Sequence, residues 1–208
     1  MTLPSSSLTA SQLPVMETFY TLQGEGFHQG KAAYFIRLAG CDVGCVWCDV
    51  KESWDRSLYP LQSVGQIAGA ASVFKARLAV VTGGEPTLYD LAPLTQALQQ
   101  QGFSIHLETS GAHSLTGTWD WICLSPKKFK EPLPAILPRA QELKIIIFNP
   151  SDFSWAEKYA SLVSADCKLY LQPEWNKAAA VTPLIIKYIK ENPQWELSLQ
   201  IHKYIDVP

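Results

Sequence analysis

Short runs of β-branched and aromatic residues alternate along this chain with longer stretches of helical period. Residues 34–38, 78–82, 104–108, 121–124, 143–148 and 169–171 read as buried or half-buried strands. Between several of them, apolar residues recur every three or four positions. Val64, Ile67, Ala71 and Phe74 share one helical face, as do Leu91, Leu94 and Leu98. A third helix is expected over 155–163 and a fourth around Val181, Ile185, Tyr188 and Ile189; a final strand is expected over 196–201. Strands separated by helical crossovers predict an α/β fold with a mostly parallel sheet or an incomplete barrel. No internal repeat and no dividing linker is visible. The chain therefore reads as a single domain, 1–208, with residues 1–14 as a loose arm rich in Pro, Ser and Thr.

Polar segments sit directly behind these strands. Thr82-Gly83-Gly84-Glu85, Glu108-Thr109-Ser110-Gly111 and Ser125-Pro126-Lys127 each follow an apolar run, and a cysteine-rich loop follows 34–38. In parallel α/β folds such ends gather at one face, where ligands bind. Four of them at one mouth predict a site there. The aromatic residues Phe19, Tyr20 and Tyr34 are expected in the core rather than against a ligand.

Composition narrows the class. Of 208 residues 47 % are hydrophobic and 17 % charged, enough for a core and too little charge for a disordered chain. A net charge of -2 leaves no electrostatic footprint for nucleic acid, and the run Lys127-Lys128-Phe129-Lys130 is too small to supply one. No apolar stretch approaches the roughly 18–20 residues that span a bilayer. Residues 1–14 lack the basic and apolar regions of a signal peptide, so a cytoplasmic location is expected.

Three of the five cysteines fall within eight residues, in Cys41-Asp42-Val43-Gly44-Cys45-Val46-Trp47-Cys48. Such clustering favours metal binding over disulfides. Gly40 and Gly44 relieve the crowding of a loop that turns three thiolates to one centre. The spacing favours an iron–sulfur cluster while leaving zinc, or no metal, open. Structural zinc wants four protein ligands, and no further Cys or His stands nearby. Cys123 and Cys167 lie at strand ends and read as small core residues.

Three thiolates on a four-iron cluster leave one iron open, and C-x3-C-x2-C resembles the signature of the radical S-adenosylmethionine superfamily. Thr82-Gly83-Gly84-Glu85-Pro86 is similar to that superfamily's GGE motif, in which glycines admit close backbone approach and the Glu receives the methionine amino group. A tight turn before a helix is the plainer alternative for GGEP alone. Over 17–208 the sequence further resembles the 7-carboxy-7-deazaguanine synthases. The resemblance is carried by Thr21-Leu22-Gln23-Gly24-Glu25-Gly26, Glu108-Thr109-Ser110-Gly111, Ser125-Pro126-Lys127, Gln172-Pro173-Glu174-Trp175 and Gln200-Ile201-His202-Lys203.

That resemblance implies an abbreviated, incomplete radical barrel working as a homodimer. It implies a [4Fe-4S] cluster on Cys41, Cys45 and Cys48, S-adenosylmethionine, and an electron donor such as flavodoxin or ferredoxin. The implied reaction contracts 6-carboxy-5,6,7,8-tetrahydropterin to 7-carboxy-7-deazaguanine with loss of ammonia. Leu22, Gln23, Gly24, Glu25, Arg37, Thr82, His202 and the terminal carboxylate of Pro208 are the implied pterin contacts. Gly83, Gly84, Glu85, Glu108, Ser125, Pro126, Lys127, Gln172, Pro173, Glu174 and Trp175 are the implied nucleoside contacts. Plainer roles stand beside three of these: a surface charge for Arg37, a hydrogen-bonded strand end for His202, a turn cap for Glu108. The mainly apolar tail Tyr204-Ile205-Asp206-Val207-Pro208 expects a docked end.

One departure bears on a second metal. Family members commonly carry a hydroxyl residue after the Cys-Asp pair that helps hold Mg²⁺; here Cys48-Asp49 is followed by Val50, which offers no oxygen. Asp49 or Ser53 would have to substitute, or Lys51 supply charge instead. Two other classes compete with the synthase: an activating protein for a glycyl radical enzyme, and a non-catalytic metal or electron-transfer module.

Overall fold

The computed structural model describes residues 12–208. In chain order the elements are β1 (Gln12–Leu22), β2 (Ala32–Leu38), β3 (Leu61–Ser63), α1 (Val64–Ser72), β4 (Leu78–Gly83), α2 (Ala92–Gln100) and β5 (Ser104–Thr109). There follow β6 (Trp121–Leu124), β7 (Glu142–Ile147), α3 (Asp152–Ala160), β8 (Lys168–Pro173), α4 (Ala178–Glu191), β9 (Trp195–Leu197) and α5 (Ile201–Ile205). The strands form one sheet ordered β3-β1-β2-β4-β5-β6-β7-β8-β9. From β2 to β9 neighbouring strands run parallel, while β1 is antiparallel to β2 and β3. β3 and β9 end the order and, among the described residues, do not pair with each other, so the sheet is an open, incomplete barrel.

Strand alternation sorts the side chains. Ile36, Leu38, Ala79, Val81, Ile105, Leu107 and Ile122 pack with α1 and α2; Leu124, Leu143, Ile145, Ile147 and Leu171 pack with α3 and α4. The residues between them point to the inner face, and towards the strand ends these are Arg37, Thr82, Glu108, Lys144 and Gln172. A single sheet thus has an apolar outer layer and a polar interior at its upper end. α1 starts where Ser63 and Gln66 form a reciprocal capping box.

The structure corrects three expectations. The chain leaves the sheet after Leu197, and residues 201–205 form α5, because the Ile201 N–H bonds the Gly24 carbonyl at 3.0 Å instead of a strand neighbour. His202 therefore lies on a short helix, not at a strand end. The loose arm ends earlier than residue 14: Gln12, Leu13 and Pro14 pair with β3, and residues 1–11 lie outside the described residues. β1 itself shows no clean sequence period. Its register slips between Val15 and Glu17, so the alternation changes phase within the strand.

The lower end of the interior is closed by the turn after β1. Phe27 stacks on Trp121 at 5.0 Å, and His28 meets Trp121 edge-on at 4.4 Å and His106 at 4.3 Å between ring centroids. Among the described residues neither ring nitrogen of His28 has a hydrogen-bond partner. Burial, with Lys31 nearby, lowers His28 from 6.5 to about 4. Burial, with His28 as neighbour, lowers His106 to about 4 as well. The unfolded chain therefore binds more protons than the folded one between pH 6.5 and 4, and stability falls as pH falls through that window. His28→Phe keeps a ring and removes one titrating group. Its denaturation midpoint, followed across the window, should fall with a shallower slope than that of the unaltered protein; parallel slopes would show that His28 does not contribute.

Candidate active site

A cavity of about 380 Å³ opens at the C-terminal ends of the parallel strands. Its wall includes Cys41, Cys45 and Cys48 from the loop after β2, Thr82 to Glu85 after β4, Glu108 to Ser110 after β5, and Ser125 and Lys127 after β6. Gln172 to Trp175 come from β8, and His202 and Pro208 from the C-terminal segment. Leu22, Gln23, Gly24, Glu25 and Arg37 line it too. Of the residues expected to contact the pterin, the nucleoside or the cluster, Pro126 alone stays off the wall. It is buried, and its carbonyl accepts from Trp155 Nε1 at 3.5 Å.

The cysteine loop is seated by backbone contact. Gly84 N–H donates to Leu38 O at 3.0 Å and Glu85 N–H to Gly40 O at 2.9 Å. A Cβ at Gly84 would fall on the Gly40 carbonyl and lie 2.7 Å from Cys41 Cβ. Gly40 and Gly44 take φ of 101° and 74°, the left-handed turns that bend the loop inward. Glu85 is 1 % exposed. Its Oε1 accepts from the Thr87 N–H, Thr87 Oγ1 and Thr109 Oγ1, and its Oε2 from the Ser110 N–H and Ser110 Oγ. A carboxylate offers about four lone-pair sites. An ammonium group reaching Glu85 would have to displace a hydroxyl.

The donor set fits an iron–sulfur cluster. All three thiols are free and face one cavity, while Cys123 and Cys167 are buried elsewhere. Among the described residues no three His, Cys, Asp or Glu side chains converge as ligands of one ion would. A cluster asks less, since each thiolate meets a different iron. Burial raises Cys41 and takes Cys45 up to about 11, with Lys127 opposing in the second case, so metallation must displace protons there. For a hard cation the protein offers few oxygens here. Ser53 is fully buried and donates to Val50 O at 2.6 Å; Lys203 Nζ at 2.9 Å and Gln200 Nε2 at 3.3 Å both bond Asp49 Oδ2; Lys51 is not on the wall.

Opposite the cysteines, Gly24 lies under His202, whose ring a Cβ at Gly24 would strike. Arg37 Nε donates to Glu17 Oε1 at 2.7 Å and its guanidinium lies over the Phe19 ring, which stacks on Phe35 at 5.1 Å. Phe19 and Phe35 both line the cavity, so Phe19 is a wall residue rather than core; Tyr34 is core, and Tyr20 is partly exposed. Gln172 accepts from Ser198 Oγ at 2.7 Å, and Glu174 caps the backbone of Asn176 and Lys177. Lys127 donates to Ser125 Oγ at 2.6 Å and sits over Trp47, and burial lowers its pKa. In the tail Tyr204 and Ile205 are 61 % and 50 % exposed, contrary to the docked apolar end expected. What holds the tail is the Val207 N–H on His202 O and the edge of Tyr204 on Trp175.

The sequence reading missed Lys144. Its ammonium, on a side chain only 5 % exposed, lies 2.6 Å from Glu25 Oε2 and 2.9 Å from Glu108 Oε2. The available signal was two charges, Glu142 and Lys144, on one face of an otherwise apolar strand. Burial alone would raise Glu25, but Lys144, Gln200 and His202 outweigh it and hold the carboxyl at about 2. Gly84→Ala, by contrast, tests the cysteine loop. The added methyl should cost about 1–3 kcal/mol in stability and lower the iron bound on anaerobic reconstitution. Equal iron in both proteins would mean that the loop yields without consequence.

Residues 35–124 match the Radical SAM superfamily. The chain is 52 % identical over 196 residues to 7-carboxy-7-deazaguanine synthase from Flavobacterium psychrophilum, covering 94 % of this chain and 93 % of that one. It is 50 % identical to the protein of that name from Synechocystis sp., covering 98 % of each. The crystal structure of QueE from Escherichia coli superposes with a TM-score of 0.80 at 35 % identity, covering 90 % of this chain and 93 % of that one. Relatives of one name match along the whole sheet and its mouth, so this chain belongs to the radical SAM superfamily and, within it, to the 7-carboxy-7-deazaguanine synthase family.

Proposed function

We propose that the chain contracts 6-carboxy-5,6,7,8-tetrahydropterin to 7-carboxy-7-deazaguanine with loss of ammonia. The observation that carries this reading is one cavity whose wall carries both the three thiols and Gln23, Glu25, Arg37, His202 and Pro208. A four-iron cluster with S-adenosylmethionine, when bound, supplies reductive sulfonium cleavage and hydrogen abstraction. The protein's own part is to bind, orient and exclude water.

Glu17 engages only Nε of Arg37, which leaves the outer nitrogens for a substrate carboxylate, a pairing that the planar guanidinium makes bidentately. Gln23, Glu25 and the terminal carboxylate of Pro208 supply acceptors for ring N–H groups, with Leu22, Gly24 and Thr82 as neighbours. His202 closes over Gly24. Gly83, Gly84, Glu85, Ser125, Lys127 and Gln172 to Trp175 form the nucleoside side, with Pro126 holding its loop from behind; Glu108, expected on that side, shares Lys144 with Glu25 and is assigned to the pterin side instead. We take residues 12–208 as one domain on the strength of the continuous sheet. We further propose a homodimer and a flavodoxin or ferredoxin donor, both from the family resemblance, in a cytoplasmic setting. No helix among the described residues is long and apolar enough to cross a membrane.

We place no Mg²⁺ in the site, because Val50 offers no oxygen, Ser53 is fully buried, and Asp49 beside them is already paired through Oδ2 with Lys203. A glycyl radical activating role is not favoured by the named relatives. The test is anaerobic affinity for the carboxytetrahydropterin, measured with Mg²⁺ and with chelator. Arg37→Ala should weaken binding by about 10- to 100-fold, the loss of one charge-assisted pair. The unaltered protein should bind alike in both buffers. Unchanged affinity in Arg37→Ala removes Arg37 from the carboxylate site, and loss of binding in chelator restores the metal.

A further inference from the structure

We infer that Lys144 is a positioning residue for the pterin reaction: it fixes Glu25 and Glu108 at the cavity wall and balances their charge, and acts on the substrate through them. The inference rests on the pterin reading above and deepens it.

The geometry is that of one cation shared by two acids from distant elements. Glu25 comes from the turn after β1, Glu108 from the end of β5, and Lys144 reaches both from β7. The far oxygen of each acid has a neutral donor: Gln200 Nε2 lies 2.9 Å from Glu25 Oε1, and Gln23 Nε2 lies 3.3 Å from Glu108 Oε1. Amides can orient a carboxylate but cannot balance its charge. Two acids this close in a partly desolvated wall do not both stay ionised without a cation. The other ionisable groups facing Lys144 do not replace it. Glu142 on its own strand and Cys123 on β6 add negative charge or none, whereas His202 on α5 and Lys127 after β6 bond neither acid.

The chemical consequence concerns acceptors. A reduced pterin presents several ring and exocyclic N–H groups, and a protonated carboxyl turned towards them offers a hydrogen where an oxygen is needed. Loss of the ammonium would let one of the two acids take a proton near neutral pH. Affinity would then depend on pH in a range where the native site is flat.

The experiment measures anaerobic substrate dissociation constants from about pH 5 to 8.5 for the unaltered protein, Lys144→Arg, Lys144→Met and Lys144→Gln, each checked for folding and iron content. Taking the ratio of each variant to the unaltered protein cancels the titration of the substrate itself. The ratio should climb as pH falls for Met and Gln, approaching roughly tenfold per pH unit, and stay level for Arg, which retains the charge. Gln keeps hydrogen bonding, and it carries the test where Met does not fold. Level ratios for both neutral variants would overturn the proposal, since a purely structural lysine changes stability without changing the pH profile. If the unaltered protein does not bind the pterin at all, the functional reading falls by itself. Carboxyl titration of Glu25 and Glu108 by NMR in the ligand-free proteins then decides the role of Lys144: raised carboxyl pKa values in the neutral variants support it, and unchanged values refute it.

Discussion

Glu85 sits where β4 ends, almost without exposure, and gathers five hydrogen bonds from Thr87, Thr109 and Ser110. Its own N–H reaches Gly40 at the root of the cysteine loop. One residue thereby ties together the ends of three neighbouring parallel strands. Buried carboxylates are costly unless their oxygens are satisfied, and hydroxyl and amide donors satisfy this one without a countercharge. The remainder of the mouth depends on that junction. The thiols, the loop after β5 and the cavity between them keep their relative positions only while it holds. Glycine at 84 is the steric half of the same constraint, because the loop backbone occupies the space of a side chain.

Across the cavity the solution is different. Glu25 and Glu108 lie beside Lys144, so the far wall is organised by shared charge rather than by neutral donors. The two designs suit the two ligand classes proposed for the site. Neutral backbone and hydroxyl groups surround the thiols, while ionised groups face the side assigned to a carboxylated, N–H-rich ring. Lys203 on Asp49 ties the C-terminal segment to the end of the cysteine loop.

Much of the fold was readable because the parallel strands are buried on the helix side and bounded by polar turns. β4, β5 and β6 start where the apolar runs predicted, and the four predicted helices are present. What escaped was controlled by tertiary contacts. β1 carries a bulge and is only half covered, so its alternation is broken. Residues 198–205 leave the strand path because of a backbone bond to Gly24, a contact separated by more than 170 positions in sequence. The site was legible where short motifs impose backbone geometry, as at Cys41 to Cys48 and at Gly83-Gly84. It was not legible at Lys144, since a lysine inside an apolar strand declares its role only once its two acids are brought to it.

On the function proposed above, this cavity holds a pterin for radical ring contraction. The most direct measurement is anaerobic incubation of the reconstituted, reduced protein with S-adenosylmethionine and 6-carboxy-5,6,7,8-tetrahydropterin, with products followed by mass and ammonia assayed in parallel. 7-carboxy-7-deazaguanine and ammonia are expected in equal amounts, dependent on Cys41, Cys45 and Cys48. Cleavage of the nucleoside with the pterin recovered unchanged would contradict it.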